Sequence, residues 1–310
     1  MVPLLDIPAV HRRPAGVVAV SGPDRLSYLH SLLSQHLEAA PAGTVADFLY
    51  LDAKGNPQAE GQAVVRSGDV WLVTPAEVAA DFAAALDRFR FLLQVEVVDR
   101  SGAFAVASVR GPGPVEVPGA RSEPMSAAPH GDGVVLRQRD GGADLVGPAS
   151  WVEDKVAGLL ADGMAEADAE SWEAWRISSG RPAWGQDIAA GRRAQELGLL
   201  PTHVHLRKGC YPGQESIAKI HNLGKPRRAL AVVDFEGPIA AGSALTAADG
   251  AAAGKAGEVT SAAALGSGAV ALVLVPVDRD GGVPSQVVTA DGVRGRVRQR
   301  VAQGLVQPGA

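Results

Sequence analysis

The apolar run Gly16-Val17-Val18-Ala19-Val20 predicts a strand, closed by the turn residues Ser21-Gly22-Pro23-Asp24. From Arg25 to about Leu37 the period changes, and Leu26, Leu29, Leu32 and Leu33 recur at helical spacing along one buried stripe. Phe48-Leu49-Tyr50-Leu51 returns to strand and stops at Asp52-Ala53-Lys54-Gly55-Asn56, a turn composition. Residues 62–65 and 69–73 flank Ser67-Gly68 as a hairpin. Pro75 to Phe91 reads as a helix with Val78, Phe82, Leu86 and Phe89 on one face, and strands follow at 95–99 and 103–109. Between Gly111 and Gly133, Pro, Gly and Ala erase any period and predict connecting structure. Strands at 134–137 and 143–148 and helices at 151–160 and 167–177 come next. From about Arg228, apolar strands at 229–235, 257–260, 270–275 and 287–289 alternate with glycine-rich turns, the pattern of a small barrel or sandwich. Periodicity therefore predicts an α+β region followed by an all-β one.

Composition sharpens that outline. A 310-residue chain is long enough for two or three compact domains. Hydrophobic residues make up 46% but aromatics only 5%, so small aliphatic side chains fill the cores. A formal net charge of −5 gives no footprint for nucleic acid or for an anionic membrane. The single cysteine forms no internal disulfide, which fits a reducing cytoplasm, and it excludes a zinc or cluster site built from four cysteines of one chain. The segment Met1-Val2-Pro3-Leu4-Leu5-Asp6 has no charged and then long apolar stretch, and no later run is long enough to span a bilayer. The expectation is a soluble, cytoplasmic monomer.

The chemistry concentrates in Lys208-Gly209-Cys210-Tyr211-Pro212-Gly213-Gln214-Glu215. Cys210 is the strong nucleophile candidate, and Lys208 two residues away supplies a positive charge that favours a thiolate. The bland alternative is a tight turn holding an incidental thiol. Gly209 and Gly213 bracket the cysteine and are expected to hold backbone angles, or an approach distance, that a Cβ forbids. His203 and His205 alternate in an apparent strand and so face opposite ways, while His221 lies in a loop-like run. With no second cysteine or clear carboxylate ligand beside them, no metal site is expected. Trp172, Trp175 and Trp184 read as packing residues.

Around the motif stand Arg176-Ile177-Ser178-Ser179-Gly180-Arg181-Pro182-Ala183-Trp184-Gly185-Gln186-Asp187 upstream and His221-Asn222-Leu223-Gly224-Lys225-Pro226 downstream. This order resembles the YgfZ family of folate-binding proteins, relatives of the T-protein (aminomethyltransferase) of the glycine cleavage system. The family signature Lys-Gly-Cys-Tyr/Phe-x-Gly-Gln-Glu is filled here at every specified position. The likeness runs through nearly the whole chain, with specific motifs confined to residues 176–228. It implies a T-protein-like ring: two entwined α+β subdomains over residues 1–227 and a C-terminal β-barrel over 228–310. It also implies tetrahydrofolate, or a one-carbon derivative, as ligand. The implied role is assembly or repair of iron–sulfur clusters, with client proteins or assembly machinery as partners and Cys210 and Lys208 as the key residues. Tyr211 offers a ring to stack on a pterin, and Gln214, Glu215 and Arg176 offer polar contacts to it.

Two departures from the T-protein pattern argue against aminomethyl transfer and against a classical enzyme. After the turn at Lys54-Gly55-Asn56, Gln58 or Ala59 stands where T-proteins carry a catalytic aspartate, and Glu60 reads as out of register. Ser178 stands where they carry a glutamate that faces the pterin. A folate-dependent one-carbon transferase, or a hydrolase or transferase using Cys210 with a histidine, remains as the alternative reading.

Overall fold

Strands β1 (Ala9–Arg13) and β2 (Ala15–Ser21) are separated by Pro14 alone, yet they belong to different sheets. The computed structural model describes residues 5–223 and 226–301, with the side chains of residues 220–223 outside the description. Strand β2 pairs with β3 (Val45–Leu51), β4 (Pro57–Val65), β5 (Asp69–Pro75) and β6 (Glu96–Asp99) in a five-stranded sheet of order β3-β4-β5-β2-β6. Strand β1 joins β7 (Phe104–Arg110), β8 (Ser126–His130), β9 (Gly133–Arg137), β10 (Ala143–Pro148) and β11 (Ala165–Glu166) in a six-stranded sheet.

The alternation of side chains along β2 explains how the two sheets stack. Val17 and Ala19 meet Val106, Leu136 and Val146 of the other sheet. Val18 and Val20 face the opposite way, onto helices α1 (Arg25–Leu32) and α2 (Ala76–Asp87) through Leu29, Phe82 and Leu86. Covered on both faces, β2 reads as an unbroken apolar run. Helix α3 (Ala149–Ala161) covers the far face of the six-stranded sheet with Trp151, Val152, Val156 and Leu159. The result is a helix–sheet–sheet–helix sandwich in which the six-stranded sheet takes β1 from the chain ahead of the five-stranded one.

Helices α4 (Ala169–Ser178), α5 (Leu200–His203) and α6 (Gln214–Leu223) carry the chain to a closed barrel. The barrel comprises β12 (Arg228–Phe235), β13 (Ala244–Ala247), β14 (Ala256–Leu265), β15 (Gly268–Pro276), β16 (Gln286–Thr289) and β17 (Arg294–Arg300). Along β12, Ala231, Val233 and Phe235 fill the barrel interior, whereas Leu230 and Val232 pack on Leu49, Leu51, Ile177 and Tyr211 of the body. Among the described residues, no helix is long and apolar enough to cross a membrane.

Several elements differ from the sequence expectation. Helix α1 stops at Leu32, and Leu33 is extended and bridges to Tyr50. Helix α2 stops at Asp87, so Phe89 is exposed instead of extending the buried stripe. Strand β8 lies inside the stretch read as connecting structure, and β1 was not expected at all. The segment around His203 is a short helix, started by Pro201 in its first turn, and not a strand.

Candidate functional site

A cavity of about 1120 Å³ lies where the two sheets, α4 and the loop after it converge. Its walls follow from strand alternation. In β4, Ala59 and Ala63 turn into the core beneath the helices, which sends Glu60 and Gln62 to the cavity side. Glu60 meets His203 of α5 at 3.7 Å, and the other nitrogen of that ring, Nδ1, lies 2.7 Å from Thr202 Oγ1. Burial opposes a charge on His203, but the Glu60 contact and the neighbouring carboxylate of Asp47 outweigh it and raise its pKa. Glu60 is therefore a cavity carboxylate. Gln58, by contrast, is exposed and Ala59 is wholly buried.

Gln62 carries the polar surface across to the second sheet. Its amide exchanges reciprocal hydrogen bonds with Gln138, at 2.8 and 2.9 Å, and also donates to Asp47 Oδ1 at 2.8 Å. Gln138 donates onward to Asp144 Oδ2 at 2.9 Å, and Arg139 pairs with Asp47 at 3.0 Å. Beyond them Arg110 lies between Asp144 (2.8 Å) and Asp140 (3.1 Å), with Arg181 on Asp140 at 2.7 Å. Burial would push the Asp144 carboxyl up, but Arg110 and Arg13 hold it below its ordinary value. Within this charged wall Ser108 stands against Asp144, and Arg13 Nε is buried without a hydrogen-bond partner in the protein.

An aromatic wall completes the space. His11 stacks on Trp172 at 4.6 Å, Trp172 meets Trp175 at 4.7 Å, and the Arg181 guanidinium lies 5.2 Å from the Trp175 ring. Trp184 also lines the cavity. The three tryptophans do pack as expected, Trp172 and Trp175 against Leu5, Ala9 and Ala167 and Trp184 on the body–barrel core, and their half-buried rings also line the cavity. Sequence period marks the inward face of a helix without saying whether side chains or a hollow lie opposite it.

Of the expected ligand contacts, Arg176 alone lines the cavity, and its donors are already engaged. It binds Glu173, Asp187 Oδ2 at 2.9 Å, Gln186 and the Arg181 carbonyl. Burial disfavours its charge, but Glu173 and Asp187 more than compensate. Asp187, wholly buried, in turn accepts from Ala183 N, Thr260 Oγ1 and Ser261 Oγ. Arg176 therefore ties α4 to the barrel and positions the wall.

The cysteine motif stands apart from the cavity: Lys208, Cys210, Tyr211, Gln214 and Glu215 are not among its lining residues. Lys208 Nζ donates to the carbonyls of His30 and Leu33, capping the C-terminal end of α1. Burial lowers its pKa to about 8, and its charge interacts with Cys210. Tyr211 is buried in the core between body and barrel, with the Lys208 ammonium 4.7 Å from its ring, so it does not present a face to the cavity. Cys210 is exposed. Gln214 and Glu215 start α6, and Glu215 faces solvent. His203 and His205 do point to different places, one into the cavity and one out beside His36. The side chain of His221 and residues Gly224 and Lys225 lie outside the described residues.

The two glycines of the motif differ. Gly213 has φ +77°, and a Cβ there would come within 2.5 Å of the Asp52 carbonyl oxygen and 2.9 Å of Gly55 Cα. The turn it abuts is built by Asp52, whose carboxylate accepts from the Lys54 and Asn56 amides at 2.8 Å. Gly209 has ordinary backbone angles, and a Cβ would meet only His30 Nε2, at 3.7 Å. The expectation of strain holds for Gly213 and fails for Gly209.

No family model matches the sequence. A protein of Arabidopsis thaliana named "Putative transferase, chloroplastic" is 25% identical over 247 residues, covering 74% of this chain and 57% of that protein. The chain thus spans a little over half the length of this curated relative. The structure of glycine cleavage system aminomethyltransferase T from Bartonella henselae superposes with a TM-score of 0.77 at 18% identity, over 94% of this chain and 85% of that one. Interlaced α+β units, a central cavity and a closed six-stranded barrel, together with that superposition, give this chain a T-protein-like fold.

Proposed function

We propose that this chain binds a reduced folate in the central cavity and supports iron–sulfur clusters in client proteins, in the manner of the YgfZ family. The observation that carries the first half is the cavity itself. Its 1120 Å³ suits a folate-sized molecule, and an indole wall faces a wall of carboxylates and guanidinium groups. A pterin is flat, with alternating donors and acceptors along its edge, and its p-aminobenzoylglutamate tail is anionic. Trp172 and Trp175 suit the flat face, Asp47 and Glu60 the donor edge, and Arg13 and Arg181 the tail. The unpartnered Arg13 Nε supplies a donor that a ligand completes. When bound, reduced folate supplies nitrogens that carry one-carbon units; the protein's part is to orient it and exclude water.

The second half rests on Cys210, exposed within its motif and outside the cavity wall, which suits action on a macromolecular client. Titration calorimetry with tetrahydrofolate tests the first half: saturable heat is expected for wild type and for Cys210→Ser, and its absence at millimolar ligand would overturn it. Complementation of a deletion strain tests the second, with Cys210→Ser expected to fail while folate binding persists.

Glu60 favours a second reading, a folate-dependent one-carbon transferase, because a carboxylate paired with a histidine does face the cavity. Turnover of an aminomethylated lipoyl carrier by purified protein, abolished by Glu60→Gln, would select it over the first.

A further inference from the structure

Beside Cys210, outside the cavity, three imidazoles and a carboxylate gather from separate segments. One ligand atom each from His30, His36 and Glu38 lie within 4.8 Å of one another. His36 sits 4.8 Å from His30 and 5.2 Å from His205, ring centre to ring centre. His30 lies in the last turn of α1, His36 and Glu38 follow that helix, and His205 comes from the segment that leads to the cysteine motif. His30 Nε2 lies 3.7 Å from the Cβ position of Gly209, whose next neighbour is Cys210. The sequence spacing of His203, His205 and Cys210 concealed this group, because its acid, Glu38, and two of its imidazoles lie far upstream.

We propose that His30, His36, Glu38 and His205 form a surface site for a divalent transition-metal ion of the zinc or iron(II) class, adjoining Cys210. Imidazole nitrogen with carboxylate oxygen is a donor set for such borderline cations and not for calcium or magnesium. Tetrahedral ligands at about 2.1 Å from a metal stand about 3.4 Å apart, so the His30, His36 and Glu38 atoms must close by up to about 1.4 Å, and the His205 ring must swing in to join them. His36, Glu38 and His205 are exposed, which leaves their side chains room to make that movement. His30 and His205 are also biased toward their ligating neutral form. Burial first, then Lys208 and the other histidines, lower the pKa of His30, and burial with His36 does so for His205. His30 Nδ1 accepts long 3.3 Å hydrogen bonds from the Leu37 and Glu38 amides, which places its proton on Nε2. Entry of a metal exchanges these long bonds for coordination at Nδ1, on the side where Glu38 stands.

The site does not depend on folate, so failure of folate binding leaves it standing. The test uses full-length, tag-free protein and Co²⁺ or Zn²⁺ alone. Wild type is expected to bind one Co²⁺ with intense visible d–d bands that Zn²⁺ displaces, and His36→Ala/His205→Ala to weaken binding at least tenfold. Saturating Zn²⁺ is expected to slow alkylation of Cys210 by iodoacetamide in wild type and not in the double variant. Absence of stoichiometric binding, binding unchanged in the double variant, or alkylation indifferent to bound Zn²⁺ would each overturn the proposal. Retained cooperative unfolding of the double variant separates loss of ligands from loss of fold.

Discussion

The contrast between the two motif glycines makes a sharp prediction, because one position is strained and the other is not. Gly213 holds φ +77°, where an L residue costs about 1–2 kcal/mol. The added methyl also meets backbone on the facing turn, 2.5 Å from Asp52 O and 2.9 Å from Gly55 Cα. Neither atom belongs to a flexible side chain, so the 52–56 turn or the start of α6 must shift, adding about 1–3 kcal/mol as overpacking does. Gly213→Ala is therefore expected to lose about 2–5 kcal/mol. Gly209→Ala meets nothing closer than 3.7 Å and restricts only the unfolded chain, so it should lie between neutral and about 1 kcal/mol stabilising. Urea unfolding of both variants against wild type, with the slopes compared, measures the difference directly. Equal midpoints within about 0.5 kcal/mol would refute the reasoning, since both glycines would then be doing no more than lining a turn.

Other consequences follow from the ion pairs. Lys208, with its folded pKa lowered to about 8 from 10.5, resists protonation in the folded state. Its cost is fully present below pH 8 and is relieved as pH rises to 10.5, so wild type should gain stability over Lys208→Met across that window. His203 has a raised pKa, so its contribution is present at low pH and is lost as pH rises through the folded value; its NMR titration should move down in Glu60→Gln. Asp187→Ala leaves the buried Arg176 short of a partner and should cost about 3–5 kcal/mol by chemical denaturation. Trp175→Leu should weaken tetrahydrofolate binding at least tenfold in calorimetry while leaving unfolding cooperative, and unchanged affinity would remove the indole wall from the ligand site.

How far the sequence could be read depends on which face each element buries. Strands β2, β5, β12 and β15 are apolar on both faces and were visible as runs. Strand β1 was not, because His11 and Arg13 line the cavity while Arg12 between them pairs with Glu153 of α3 and with Glu166, so polar side chains on both faces break any apolar alternation. β8 lies at the edge of its sheet and contains Pro129, which is tolerated there and disguises it as a loop. At the site, Glu60 had a legible signal: small Ala59, Gly61 and Ala63 alternate with polar Gln58, Glu60 and Gln62 through β4. The cavity role of Trp172 and Trp175 had none, since tertiary structure alone decides what an amphipathic helix faces. The cysteine motif was legible as a motif but not as a place, because Lys208 and Tyr211 are spent on α1 and the core.

The early strand β1, which belongs to the later sheet, sets an order for assembly. β1 leaves the ribosome before any of its partners: it pairs with β7, beginning at Phe104, and with β11 at Ala165. Residues 15–99 supply every strand of the five-stranded sheet, so that half has all its backbone partners early in synthesis. Its inner face, Val17, Val64 and Val73, stays uncovered until β7 to β10 arrive. During that interval the nascent chain carries both an unpaired strand and an open apolar face, the two features that invite pairing with other chains. A cut near residue 100 would leave the N-terminal fragment holding β1 and the C-terminal fragment missing it, so neither half is a self-sufficient folding unit.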